Sequence, residues 1–401
     1  MGDRIIFHCD CNSFYASVEE TFHPEYKSVP MAIAGDRASR RGIILAKNEL
    51  AKTFHIQTAE TVWSAQKKCP QLLLCPPRHH TYGEFSQRIN RIYEEYTDRV
   101  ERFGIDESFL DVTGSLHLFG VDGVGLAHQI RRRVSREIGV TISVGVSWNK
   151  IFAKLGSDYK KPDAVTAITR ENYRDIAWPL PASDLFFVGE QIYGELRKYG
   201  IMTIGDLAAA DEGFLAARFG KMGGQLRAYA AGCDDSPVAL VGESEPVKSV
   251  GNSMTFRRNL LSDDDIRLGV ATLAESVGWR LRKMGMKCQT VQVGIKDDKL
   301  KSITRQRGLD IPTNLTADLM DVSLGLIRSN WEIGKPIRLL SVTAQHLVRE
   351  GEAPEQQNLF AGDRDMARKK NAELENALDK LREKYGKGSV KRGSALGNDI
   401  L

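Results

Sequence analysis

No apolar run in the 401-residue chain reaches the roughly 18 to 20 residues that a membrane span requires. The opening Met1-Gly-Asp-Arg-Ile-Ile-Phe also lacks the apolar core of a signal peptide. A cytoplasmic protein with no membrane partner is expected. The six cysteines, at 9, 11, 69, 75, 233 and 288, include no C-x-x-C pair. Neither a zinc cage nor a disulfide framework is suggested, and reduced thiols are expected. A large charge of one sign is missing too, since the formal net charge is only +4. What is present, 42% hydrophobic and 27% charged residues, excludes wholesale disorder and supplies cores for about two to four domains.

The small net charge conceals an uneven distribution. Residues 246–348 hold 16 Lys plus Arg against 10 Asp plus Glu, leaving 40 against 42 for the remainder. A basic domain of this kind can dock on a phosphate backbone, although basic domains can also be merely soluble.

Along the chain, Ile5 to Asp10 reads as a short buried strand ending in a carboxylate, and Phe14 to Glu20 as the start of a helix. A second strand is expected from Val100 through Asp106-Glu107 to Gly114. Leu126, Ile130, Val134 and Ile138 recur at helical period, and Ile142, Val144 and Val146 alternate as a strand. The order implies an α+β sheet with helices on one face and an inserted subdomain at 31–77. A helical hairpin is expected over 185–206, with Gly200 as its break, and a polar linker over 233–245. Beyond it come a helix at 263–284, a strand through Val291, Val293 and Ile295, a turn at Asp297-Asp298, a strand at 301–307, a helix at 315–328 and a strand at 337–347. Leu374, Leu378, Leu381 and Tyr385 mark a last amphipathic helix before a basic tail.

Asp106 and Glu107 are adjacent acids among apolar neighbours. Unpaired, they would repel each other and lose solvation, so a cation is expected nearby. Asp10 supplies a third carboxylate if its strand lies beside theirs. Hard oxygen ligands without His or Cys favour Mg²⁺ over zinc. Taken alone, an Asp-Glu pair is more often a surface turn, and the surrounding residues decide.

Those residues are Asp10-Cys-Asn-Ser-Phe-Tyr-Ala-Ser-Val-Glu19, Gly104-Ile-Asp-Glu-Ser-Phe-Leu-Asp111, and Ser147-Trp-Asn-Lys-Ile-Phe-Ala-Lys154 followed by Lys160-Lys-Pro162. Together, from about residue 4 to 348, they closely resemble the Y-family DNA polymerases, the translesion enzymes of the bacterial polymerase IV and V type. The resemblance implies a multi-domain right-hand polymerase. Its parts would be a ferredoxin-like palm at 1–30 and 78–166, small fingers at 31–77 and a helix-hairpin-helix thumb at 167–235. A linker at 236–245, an α/β little finger at 246–348 and a C-terminal tail at 349–401 would complete it.

By the same resemblance Asp10, Asp106 and Glu107, with the backbone carbonyl of Cys11, match the ligands of two Mg²⁺ ions. Such ions would activate the primer 3′ hydroxyl and stabilise the leaving pyrophosphate. Phe14 and Tyr15 match nucleotide-binding positions, Tyr15 being the ring beneath the incoming sugar that clashes with a 2′ hydroxyl. Lys47, Lys52 and Lys161 match cationic contacts to the triphosphate. Four departures stand out. Asn12 replaces a second Asp common in the polymerase IV type, Gly104 a usual Ser, and Glu49 a triphosphate-contacting Tyr. Val188-Gly-Glu-Gln191 lacks the second glycine of a helix-hairpin-helix turn.

In the tail, Gln356-Gln-Asn-Leu-Phe360 resembles the peptide by which bacterial polymerases bind the sliding clamp, with Gln356, Leu359 and Phe360 as contacts. The expected activity is template-directed addition of dNTPs to a primer on DNA, with low fidelity. No segment is left for a proofreading nuclease. A non-catalytic DNA- and clamp-binding scaffold of the same fold is the alternative, but it would have no use for the three acids. A nucleotidyl cyclase would not explain the basic domain.

Overall fold

A computed structural model describes residues 3–36, 42–243, 245–352, 362–386, 389–390, 393 and 398–400. They fall into two compact units, one preceding Glu245 and one beginning there.

The first unit contains strands β1 (Ile6–Cys11), β2 (Met31–Ala34), β3 (Ile44–Lys47), β4 (Leu73–Cys75), β5 (Val100–Arg102), β6 (Glu107–Asp111), β7 (Ile142–Ser147) and β8 (Val165–Ala167). Its main sheet has the order β5-β6-β1-β7-β8, with β1 in the centre. That position explains why β1 is buried on both faces and why its sequence is a near-continuous apolar run. The expected single strand from Val100 to Gly114 is instead a hairpin, in which Val100 pairs with Leu110. Residues 103–106 make the turn, with the amides of Phe103 and Gly104 both donating to the Glu107 carbonyl. The acids thus end one limb of a hairpin rather than interrupting a strand.

The expectation of helices on one face also needs correction. Phe7, Cys9 and Leu110 pack beneath helices His79–Glu94 and Gly123–Ile138. The alternate residues Ile6 and Phe109 pack with Ala153 of helix Lys150–Tyr159. This second helix lies so close that a Cβ on Gly145 would sit 1.8 Å from the Ala153 carbonyl oxygen. A glycine in a central strand here marks close backbone approach. Its sequence signal was the lone Gly within Ile142-Ser-Val-Gly-Val.

Strands β2, β3 and β4 form a separate three-stranded sheet, in the order β3-β2-β4. Buried Asn48 fixes its junction with helix Glu49–Thr53. Its Oδ1 accepts from the amides of Met31 and Ala51, and its Nδ2 donates to the Val29 carbonyl. Further on, helices Glu190–Arg197, Ile204–Ala209, Glu212–Phe219 and Lys221–Ala230 share a core with Trp148 and Phe152. Gly200 takes φ 76° after the first of them, as a helix stop requires. The following linker is not a free tether. Arg4 donates to the carbonyls of Asp234 and Ser236, Val238 is fully buried, and the Val241 amide donates to the Asp98 carbonyl.

The second unit is an antiparallel sheet ordered β11-β10-β12-β9, built from β9 (Ser249–Leu260), β10 (Met286–Lys296), β11 (Ser302–Thr313) and β12 (Ile337–Arg349). Helices Asp263–Lys283 and Thr316–Asn330 pack against it. Edge strand β9 escaped the sequence reading because its residues, Ser-Val-Gly-Asn-Ser-Met-Thr-Phe-Arg-Arg-Asn-Leu, are largely polar. The tail carries more structure than its composition suggests. Helix Gly362–Tyr385 is tied to this unit by Arg282, which pairs with Glu375 and, at 2.6 Å, with Asp379. Near the C-terminus, Ile400 is fully buried in the core and Asp399 pairs with Arg258 at 2.7 Å. The clamp-like peptide at 356–360 lies outside the described residues.

Candidate active site

Antiparallel pairing of β1 with β6 places Asp10 directly across from Glu107. The Cys11 amide donates to the Asp106 carbonyl at 3.0 Å, drawing the turn against the end of β1. The three carboxylates that the sequence separates by almost a hundred positions are therefore neighbours, with Cys11 between them.

Two of the acids, Asp10 and Glu107, each face a lysine. Lys161 Nζ is 2.7 Å from Asp10 Oδ2 and 2.7 Å from Asp158 Oδ1. Against burial, which lowers it, these acids hold the Lys161 ammonium above its usual value. Lys154 donates to Glu107 Oε2 at 3.0 Å. Fully buried His8 brings Nε2 within 3.3 Å of the same oxygen, out of line for a well-formed hydrogen bond, while its Nδ1 lies 2.8 Å from Ser157 Oγ.

These environments push the acids apart. Burial raises the Asp10 carboxyl to about 6 despite Lys161. Burial and then the Glu107 charge raise Asp106. Glu107 is held down to about 2 by the His8 contact, overcoming burial, with help from Lys154. His8 itself is pushed down by burial, against the Glu107 contact that raises it. Sequence reasoning missed His8 and Lys154 as supports; the only hint was an alternation that puts His8 on the same face of β1 as Asp10.

Among the described residues no three His, Cys, Asp or Glu side chains are gathered closely enough to hold an ion as they stand. Asp10 is turned onto Lys161, and Glu107 onto Lys154. The donor set nevertheless suits a hard divalent cation. It is all oxygen, and two of its buried carboxylates are raised, the state a bound cation would relieve.

The remaining expected residues divide. Tyr15 is half-buried on helix Phe14–Phe22, one residue after Phe14, whose ring is buried in the sheet core. Only the backbone of Phe14 is left for a ligand. Asn12 does not join the acids. Its Nδ2 donates to Ser143 Oγ at 2.9 Å, and its Oδ1 accepts from the Asp163 amide at 2.8 Å, pinning the loop that carries Lys161. In the 31–75 segment, Lys47 donates to Thr58 Oγ1 and is lowered by burial and by neighbouring Lys52. Lys52 pairs with Glu49 at 2.6 Å, and Ser13 Oγ donates to the same Glu49 oxygen at 2.9 Å. Beside them lies a cavity of about 310 Å³ lined by Asn12, Ser13, Asn48, Glu49 and Pro162. Among the described residues no helix is long and apolar enough to cross a membrane.

Known proteins resemble this chain in both of its units. Residues 9–158 match the impB/mucB/samB family and residues 247–359 its C-terminal domain. The chain is 46% identical over 393 residues to DNA polymerase IV of Acetivibrio thermocellus, covering 98% of each chain. It is 35% identical to DNA polymerase IV 1 of Bacillus subtilis, covering 98% of this chain and 93% of that one. A solved Y-family DNA polymerase chimera shares the fold, with a TM-score of 0.76 and 22% identity over 86% of this chain and 99% of its own. Matched in both units and along nearly its whole length, the chain belongs to the impB/mucB/samB family, the Y-family DNA polymerases.

Proposed function

We propose that this DNA-directed DNA polymerase extends primers at Asp10, Asp106 and Glu107, and does so across damaged templates. The single observation that supports the site is the pairing of β1 with β6, which sets Asp10 across from Glu107, with the Cys11 amide bonded to the Asp106 carbonyl beside them. Family membership supports the activity and its translesion character. In this reading the five-stranded sheet is the palm, residues 31–77 the fingers, 167–235 the thumb, 236–245 the linker and 246–348 the little finger.

Two Mg²⁺ ions, held by Asp10, Asp106, Glu107 and the Cys11 carbonyl, would supply Lewis acidity at the primer 3′ hydroxyl and at the leaving pyrophosphate. The chain's own residues do the rest. Lys154 and His8 keep Glu107 ionised and oriented. Lys161, which pairs with Asp10, would contribute its positive charge to triphosphate oxygens. Lys47 and Lys52 add positive charge on the side of the fingers, and Lys52 must exchange Glu49 for phosphate. Tyr15 lies beneath the sugar. Primer-template DNA and dNTPs are the substrates, and the basic excess of 246–348 supports a grip on phosphates. Residues 356–360 would dock on a sliding clamp, and a cytoplasmic location would follow from work on bacterial DNA.

Asp106→Ala and Glu107→Ala test the site. Each should abolish extension while leaving primer-template affinity within a few-fold, because lost ligands act on the chemical step. Extension retained by both variants would remove these acids from the mechanism.

A further inference from the structure

Two helices meet beside Tyr15, and each presents a pair of residues four apart on one face. Helix Phe14–Phe22 presents Tyr15 and Glu19. Helix His79–Glu94 presents Tyr82 in its first turn and Arg78 at its N-cap. The pairs are cross-linked. The Tyr82 ring stacks on Tyr15 with centroids 4.1 Å apart and planes 16° from parallel. Tyr82 Oη donates to Glu19 Oε1 at 2.7 Å. Arg78 Nε donates to that oxygen at 2.9 Å, and its Nη2 donates to Oε2. His79 meets both rings edge-on, at 6.0 and 6.1 Å. Tyr82 is 0% exposed and Glu19 4%, so this carboxylate is a buried charge retained by a forked guanidinium and a phenol.

Such an arrangement is more than core filling. A core tyrosine needs one hydrogen-bond partner; this one is leashed to a carboxylate that is itself clamped, and the whole assembly backs a single half-buried ring. We propose that Glu19, Arg78 and Tyr82 form a brace that sets how firmly Tyr15 excludes a 2′ hydroxyl, making them positioning residues for sugar selection. The inference rests on reading Tyr15 as the ring beneath the incoming sugar.

The physical argument concerns stiffness. Exclusion by clash is worth only what it costs to move the obstacle. A tyrosine with room behind it yields by rotating about χ1, and a displacement of some 30° gives a discrimination of roughly 2- to 13-fold. With Tyr82 packed flat against it, Tyr15 yields only if Tyr82 moves as well. Tyr82 in turn moves only by leaving Glu19, which would strand a buried carboxylate oxygen. The clash is thereby transmitted into the helix pair rather than absorbed by one torsion.

The test is single-nucleotide insertion by the full-length protein, with kcat/KM measured for a dNTP and for the matching rNTP. Tyr82→Leu should lower the dNTP:rNTP ratio at least tenfold, through a rise in ribonucleotide insertion. Tyr82→Phe, which keeps the ring and loses the leash, should lower it about two- to fivefold. Tyr15→Ala should relax selection, and Tyr82→Leu added to Tyr15→Ala should change the ratio no further, because the brace acts through that ring. A purely structural role would depress both nucleotides together and leave the ratio unchanged, which overturns the proposal. If Tyr15→Ala relaxes selection and Tyr82→Leu does not, the brace fails while the reading of Tyr15 stands. If Tyr15→Ala keeps full selectivity, that reading fails and the brace falls with it.

Discussion

Asp10→Asn should make the metal-free protein more stable at neutral pH even though it removes a carboxylate of the proposed metal site. The Asp10 carboxyl sits at about 6 in the folded chain against an ordinary 3.8. Because the folded state holds its proton more tightly than the unfolded state, Asp10 costs nothing below pH 3.8. The penalty grows through the interval and is complete above pH 6. At about 1.4 kcal/mol per pH unit it amounts to about 3 kcal/mol. Asparagine removes the buried charge but also one of the two carboxylates paired with Lys161, leaving Asp158, so the net gain should be about 1–3 kcal/mol. Glu107, held at about 2, has the opposite pH dependence, but it is common to both proteins and cancels in the comparison. Hydrogen exchange of the β1 and β7 amides isolates this unit from the second one. With chelator at pH 7.5 the variant should exchange more slowly, and the difference should fade as pH falls towards 4. Mg²⁺ should then stabilise the wild type more than the variant. A variant less stable at pH 7.5, or a difference independent of pH, would refute the reading of Asp10 as a buried carboxylate that Lys161 only partly compensates.

Gly145→Ala should cost about 1–3 kcal/mol or more and slow extension. Its Cβ would meet the Ala153 and Ser157 backbone at 1.8 and 2.5 Å, forcing away the helix that carries Lys154; thermal melts and kcat check this. Arg282→Leu should cost about 3–5 kcal/mol in the second unit, since it strands the largely buried Glu375 and Asp379; exchange along helix Gly362–Tyr385 should rise sharply. Changing Leu359 and Phe360 to Ala should leave synthesis on a short primer-template unaltered and remove stimulation by a loaded bacterial clamp, with a deficit that grows with template length.

The central strands were legible because burial on both faces leaves apolar runs, as in Ile5 to Cys9 and Ile142 to Val146. The acids were legible because motif and chemistry coincide at Asp10, Asp106 and Glu107. Features with no local signal were not. The β5–β6 turn holds Phe103 and Ile105 where polar turn residues are usual, and so reads as one strand. Strand β9 is polar because it lies at a sheet edge. The tail helix was visible from Leu374, Leu378 and Leu381, but its attachment was not: Arg282 and Glu375 are 93 positions apart. The same holds for Lys161 on Asp10 and for the Glu19 clamp on Arg78 and Tyr82. Buried ion pairs between distant segments are decided by the fold, and a sequence pattern carries only one partner at a time.

Primer extension opposite a single abasic site, run beside the intact template, tests the central claim most directly. With Mg²⁺ and dNTPs the wild-type protein should extend the primer on the intact template and insert a nucleotide at the abasic position, while Asp106→Ala and the EDTA control stay at the starting length. Extension on the intact template that stops one nucleotide before the lesion, or insertion that survives Asp106→Ala, would contradict the account.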